Sequence, residues 1–227
     1  MKFKNLINIS ELNREDIIDI LKYADQLNIK LHHLNFSNEY KNKVFEKFLT
    51  DLKNGKTPNP DVLCNQYIKF NEFYNYAVSN KFDYIATGHY AGIKSISGTN
   101  YLAKAKDQNK DQTYFLCNIN KEVLDKTIFP LSELTKKEVR EIAKSMNLST
   151  FKKKDSTGIC FIGERPFPSF LENYINDKPG KIFCDNGKEV GSHRGLSFYT
   201  LGQRQGLGIG GLKNYDERPW YLSLIHI

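Results

Sequence analysis

Two cysteines, Cys64 and Cys160, sit where their surroundings could make a thiol reactive. Cys64 ends the string Thr57-Pro58-Asn59-Pro60-Asp61-Val62-Leu63-Cys64, three positions after Asp61. With Asp61 as a helix N-cap, the Cys64 sulfur falls in the first turn, where unpaired N–H groups and the macrodipole stabilise a thiolate. The same position also suits a small apolar core residue, because cysteine outside a disulfide is among the most buried types. Cys160 lies in Asp155-Ser156-Thr157-Gly158-Ile159-Cys160-Phe161-Ile162-Gly163-Glu164, directly after Lys152, Lys153 and Lys154. Neighbouring cations lower a thiol pKa and flanking glycines permit a tight loop, which fits a reactive group; a chance cysteine beside a solvated charge run fits as well. With Cys117 and Cys184 the chain has four cysteines, no C-x-x-C pair and no histidine at zinc spacing, so no metal site is expected.

The elements that must position these thiols read as alternating helix and strand. Residues 13–27 have helical periodicity, with Asn13 as N-cap, Leu12 and Ile17 as a staple, and Ile17, Ile20, Leu21 and Ala24 facing inward. Residues 29–36 are expected as a short strand. Ser37 then opens a helix that buries Val44, Phe45, Phe48, Leu49 and Leu52 and closes at Gly55. The prolines of 57–61 make a rigid turn, and Leu63, Tyr67, Phe70, Tyr74 and Ala77 follow at helical spacing. An apolar strand over 82–87 ends in Gly88-His89, giving the strand-helix-strand order of a parallel α/β sheet.

Further along, 90–96 and 101–105 flank Ser97-Gly98-Thr99-Asn100 and predict a β-hairpin. Thr135 and Glu138 form a capping-box pattern, with Leu134 and Val139 as its staple, at the start of another helix. After about residue 164 frequent glycines cut the chain into short pieces, implying a smaller β-containing domain. The glycine-rich Gly206–Gly211 stretch is not a nucleotide loop, since neither Lys-Ser/Thr nor a helix follows it.

The chain has 227 residues, 40% of them hydrophobic, enough for a sizeable core. It carries no apolar run of the roughly 20 residues that a membrane span needs, and no signal segment, so a cytoplasmic protein with no membrane partner is expected. The formal charge is +7, and between Lys136 and Lys154 seven Lys/Arg face two Glu. That cluster suits a polyanionic partner, although a solvated charged face accounts for it equally.

Five strings, in order, resemble bacterial tRNA-specific 2-thiouridylases: Thr57–Asn65, Ala86-Thr87-Gly88-His89-Tyr90, Lys110-Asp111-Gln112-Thr113-Tyr114-Phe115-Leu116, Asp155–Glu164 and Leu201–Gly211. The resemblance implies ATP-dependent replacement of oxygen by sulfur at C2 of the wobble uridine in tRNAs for lysine, glutamate and glutamine. In that scheme ATP, expected with Mg2+, adenylates the C2 oxygen. A persulfide on Cys160, charged by a sulfur-donor protein, delivers sulfur; Cys64 resolves the linkage, leaving a Cys64–Cys160 disulfide, and Asp61 handles a proton. Low-pKa persulfides are good nucleophiles near neutral pH, and a carbonyl oxygen leaves poorly until activated, so the chemistry is coherent. Resemblance further implies that Asn59, Pro60 and Asp61 line the target base, that His89, Lys110, Asp111 and Gln112 touch tRNA, and that Gly88 contacts ATP. A splayed anticodon-loop base can be read on its edges without melting a duplex.

The implied architecture is α/β: an incomplete parallel-sheet, Rossmann-like ATP-pyrophosphatase domain over 25–163, then a small β-containing central domain over 164–227. The family's Ser-Gly-Gly-x-Asp-Ser phosphate loop does not occur in the sequence. Residues 1–24 instead resemble the opening helix of an aspartate/ornithine carbamoyltransferase, as a mis-joined reading frame would produce. The family's C-terminal β-barrel is also expected to be missing, and the chain as given is expected to be inactive. A non-catalytic tRNA-binding fragment and a different ATP-pyrophosphatase-type tRNA-modifying enzyme are the alternatives.

Overall fold

The computed structural model describes residues 14–26, 28–152, 167–176, 178–209 and 219–223. Its helices are α1 Arg14–Gln26, α2 Ser37–Tyr40, α3 Glu46–Lys53, α4 Pro60–Cys64, α5 Phe73–Ser79, α6 Lys121–Leu124, α7 Lys136–Ser145 and α8 Phe167–Leu171. The strands are β1 Ile85–Ala86, β2 Ala91–Ile96, β3 Thr99–Lys104, β4 Thr127–Ile128, β5 Gly180–Phe183 and β6 Glu189–His193. Lys41–Phe45 and Asn65–Glu72 are π-helical, and Thr113–Leu116, Ser149–Lys152 and Leu196–Phe198 are 3₁₀ turns. Two compact units result: Met1–Val44 with Pro60–Gly163, and Phe45–Asn59 with Glu164–Ile227.

In the first unit β1 and β4 pair in parallel, Ile85 opposite Thr127 and Ala86 opposite Ile128. The expected strand over 82–87 is therefore real but only two residues long. Around it Phe70, Ala77, Ile85, Ala91, Leu116, Val123, Leu124 and Phe129 form the core. The hairpin of β2 and β3 turns at Ser97 and Gly98, with φ of 51° and 77°. Two successive left-handed residues match the strands' twist, and the second is the glycine that such a turn favours. At α7 the capping box forms as expected: the Glu138 amide donates to Thr135 Oγ1 at 3.3 Å, and the Thr135 amide donates to Glu138 Oε2 at 2.6 Å.

Three expectations need correction. Residues 29–36 form no strand; His32 instead packs edge-on against Tyr76 and Phe82, with its Nδ1 hydrogen-bonded to the Tyr76 hydroxyl at 2.6 Å. In α1, Ala24 is buried but Leu21 is half-exposed, and the side chains of Ile17 and Ile20 lie outside the described residues. Helix α4 begins at Pro60, not after Asp61, because a proline's fixed φ and missing donor suit the first helical position.

The second unit buries Phe48 and Leu52 of α3 together with Leu171 and Ile175. Phe45 packs edge-on against Tyr174 with ring centroids 4.9 Å apart. The Ser197 hydroxyl donates to the Leu52 carbonyl at 3.2 Å. Gly55, at φ 68°, ends α3: its amide donates to the Leu52 carbonyl and the Lys56 amide to that of Asp51, the two bonds of a Schellman motif. Strands β5 and β6 pair antiparallel with a bulge between Ile182 and Phe183. No described helix is long and apolar enough to cross a membrane.

Candidate functional site

Asp61 and Cys64 both lie on α4, one helical turn apart. Because the helix starts at Pro60, Cys64 is its fifth residue, beyond the four leading amides that lack a helical acceptor. The expected first-turn stabilisation of its sulfur therefore does not hold. Cys64 is instead 6% exposed and packs with Val44 and Ile68, flanked by Phe36, Tyr40, Leu63 and Tyr67. Pro60 is buried, and one carboxylate oxygen of Asp61 is fully shielded from solvent. Cys160 lies outside the described residues.

Asn65, next to Cys64 in the sequence, is a site residue that pattern reading passed over. It is 4% exposed, and its Nδ2 donates to the Phe115 carbonyl at 3.1 Å, while its buried Oδ1 meets no hydrogen-bond donor among the described residues. That bond ties the cysteine helix to the 110–116 string. A polar residue four positions after Asp61, on the face that carries Cys64, was the available signal.

Gln112 in turn holds the 86–90 string. Its amide donates to the Tyr90 carbonyl and the Tyr90 amide donates to its Oε1, each at 2.9 Å. Asp111 accepts from the Ala105 amide at 3.0 Å and the Thr113 amide at 3.3 Å, and from the Thr113 hydroxyl. Desolvation raises the Asp111 pKa, but these hydrogen bonds and the Lys104 charge outweigh it, leaving the carboxyl below its ordinary range. Lys110 is exposed.

His89 closes the circuit. Its ring lies 5.9 Å from that of Phe70 and 6.4 Å from that of Phe129, and Nδ1 is hydrogen-bonded to Thr87 Oγ1 at 2.8 Å. Burial, helped by the Lys69 charge, lowers its pKa from 6.5 to about 3, so the imidazole is neutral at physiological pH. Three of the five strings, 60–65, 86–90 and 110–116, thus meet within the first unit. Asn59 belongs to the second unit, as do residues 201–209.

Gly88 follows β1 at the carboxyl edge of the parallel pair, and a Cβ built on it would meet nothing within 4 Å. An exposed backbone at that edge is the place where α/β sheets receive nucleotides, so Gly88 fits the approach of an adenine nucleotide. Among the described residues no group of three or more His, Cys, Asp or Glu side chains could hold a metal ion.

Comparison with known proteins gives two family-model matches: the tRNA methyl transferase HUP domain over residues 4–164 and the tRNA methyl transferase PRC-barrel domain over 168–227. A Rossmann-like α/β domain followed by a small PRC-barrel-like domain is thus the fold class. Curated relatives named tRNA-specific 2-thiouridylase MnmA include one from Legionella pneumophila (strain Lens), 56% identical over 92% of this chain and 58% of its own length. Those from Hahella chejuensis and Pseudomonas fluorescens are 53% and 52% identical over 91% and 92% of this chain, and 57% and 56% of their own lengths. The chain therefore spans somewhat over half the length of the relatives it matches.

Proposed function

The chain belongs to the tRNA methyl transferase HUP-domain family, and from that premise we propose that it serves tRNA 2-thiolation, the exchange of oxygen for sulfur at C2 of a wobble uridine. The observation that carries the reading is the linkage of the Asp61–Cys64 helix, through Asn65, to the two strings that would meet the RNA. Cys160 carries the persulfide, whose terminal sulfur attacks the adenylated C2, expels AMP and leaves a Cys160–S–S–C2 linkage. Cys64 thiolate then attacks the Cys160 sulfur, forming a Cys64–Cys160 disulfide and releasing the thiolated base. Asp61 accepts or returns a proton at the base edge. ATP, when bound near Gly88 with Mg2+ on its phosphates, would supply the adenylyl group that makes the C2 oxygen a leaving group.

Asn59 and Pro60 line the base with Asp61, and the exposed Lys110 meets a phosphate. Asp111 and Gln112 serve the RNA contact by fixing the loop that carries Lys110. His89, being neutral, offers a hydrogen bond and not an ion pair. On this reading the substrates are tRNAs for lysine, glutamate and glutamine, the sulfur comes from a persulfide-carrying protein, and the reaction is cytoplasmic.

The test is sulfur incorporation into unmodified tRNA, read by retardation on a mercury-containing gel and by nucleoside mass. Cys64→Ser and Cys160→Ser should each abolish product while tRNA affinity persists. Turnover by either variant would refute the cysteine assignment. A methylated nucleoside in place of a thiolated one would refute the reaction class.

A further inference from the structure

An open groove of about 580 Å³ runs along α7. Lys136, Lys137, Arg140 and Lys144 line it from the helix, and Phe151 and Lys152 from the following turn. Lys136, Arg140 and Lys144 repeat every four residues, so they form one row about 12 Å long. Glu141, the one carboxylate among the described lining residues, is 3.9 Å from Lys137 and so already neutralised in part.

The groove also starts at the candidate site. Asp107, in the loop before Lys110, accepts from the Lys136 amide at 2.9 Å, and Lys136 Nζ lies 5.9 Å from the ring centre of Tyr90, the partner of Gln112. A strand whose target nucleotide occupied the site would find the row of cations beside it. Phe151 lies among those cations, with Lys152 Nζ over its ring at 5.3 Å from the centre, so its part in the groove is to carry that charge.

We propose that the α7 groove holds the sugar–phosphate backbone of the nucleotides flanking the target, through Arg140, Lys144 and Lys152. The proposal rests on the RNA-modifying reading for its partner, but its contacts are to phosphates and do not depend on which base is modified.

The test measures binding of unmodified tRNA against salt, for the whole chain and for Lys144→Ala/Lys152→Ala. Removing two phosphate contacts should reduce the slope of log Kobs against log salt by roughly 1.4 to 1.8. Lys144→Arg/Lys152→Arg should keep the wild-type slope, which separates charge from misfolding. The reduction should be equal for a tRNA whose wobble uridine is replaced by cytidine. An unchanged slope in the alanine variant overturns the proposal, and a loss confined to binding of polyglutamate would assign the groove to an acidic protein instead. If the slope falls while the product is a methylated and not a thiolated nucleoside, the groove stands and the thiolation reading fails.

Discussion

Acid should loosen the first unit through His89. The folded chain holds this imidazole at a pKa of about 3, against 6.5 ordinarily, because the ring is enclosed by Phe70 and Phe129 and faces the charge of Lys69. The folded pKa is the lower one, so the unfolded chain takes up the proton first. The His89 contribution is therefore intact above about pH 6.5 and is lost progressively as pH falls towards 3. At pH 5 the loss is about 2 kcal/mol, from about 1.36 kcal/mol per unit of pKa difference. Urea denaturation at pH 7 and pH 5, for the wild type and for His89→Asn, isolates the term by difference, and an NMR titration of the ring reads the pKa directly. The wild type should lose about 2 kcal/mol more than the variant over that interval. An imidazole titrating near 6.5, or equal losses in the two proteins, would refute the reasoning.

Thr135→Ala removes the α7 cap and should cost about 1 kcal/mol, seen as faster amide exchange over 136–139. Hydrogen bonds from the Thr135 amide and hydroxyl, then Lys106, lower the Glu138 pKa to about 2; in the variant an NMR titration should find it returning towards 4.5. That depressed carboxyl stabilises the fold above about pH 4.5, and its contribution disappears as pH falls towards 2. Asn65→Ala leaves the Phe115 carbonyl without its donor and should cost about 1–3 kcal/mol, with a lower thermal midpoint and faster exchange over 113–116.

Legibility in the sequence followed locality. The α7 cap and the Ser97-Gly98 turn are written in residues three or fewer positions apart, so both could be read directly. The candidate strand over 29–36 fails because partners distant in sequence, Tyr76 and Phe82, decide what His32 does. The helix after Asp61 shows the same limit. A single 3.6-residue period selects Leu63, Tyr67, Phe70, Tyr74 and Ala77 for the core; Phe70 and Ala77 are buried as expected, but Leu63, Tyr67 and Tyr74 are only half-buried while Cys64, Asn65 and Ile68 are buried. The π-helical segment Asn65–Glu72 breaks the period, with Phe70 at φ −100° and ψ 15°, and no residue type announces such a turn. At the site, the strings themselves were visible as a resemblance, whereas the bonds that join them, Asn65 to Phe115 and Gln112 to Tyr90, are long-range.

The hydrocarbon lid over Cys64 also governs the lifetime of its sulfur. Peroxides and alkylating agents attack accessible thiolates, so between catalytic encounters the side chain is sheltered by Val44 and Ile68, while Cys117 stands open to solvent. Iodoacetamide should consume Cys117 before Cys64, and the slower rate at Cys64 becomes a clock for how often this part of the molecule opens.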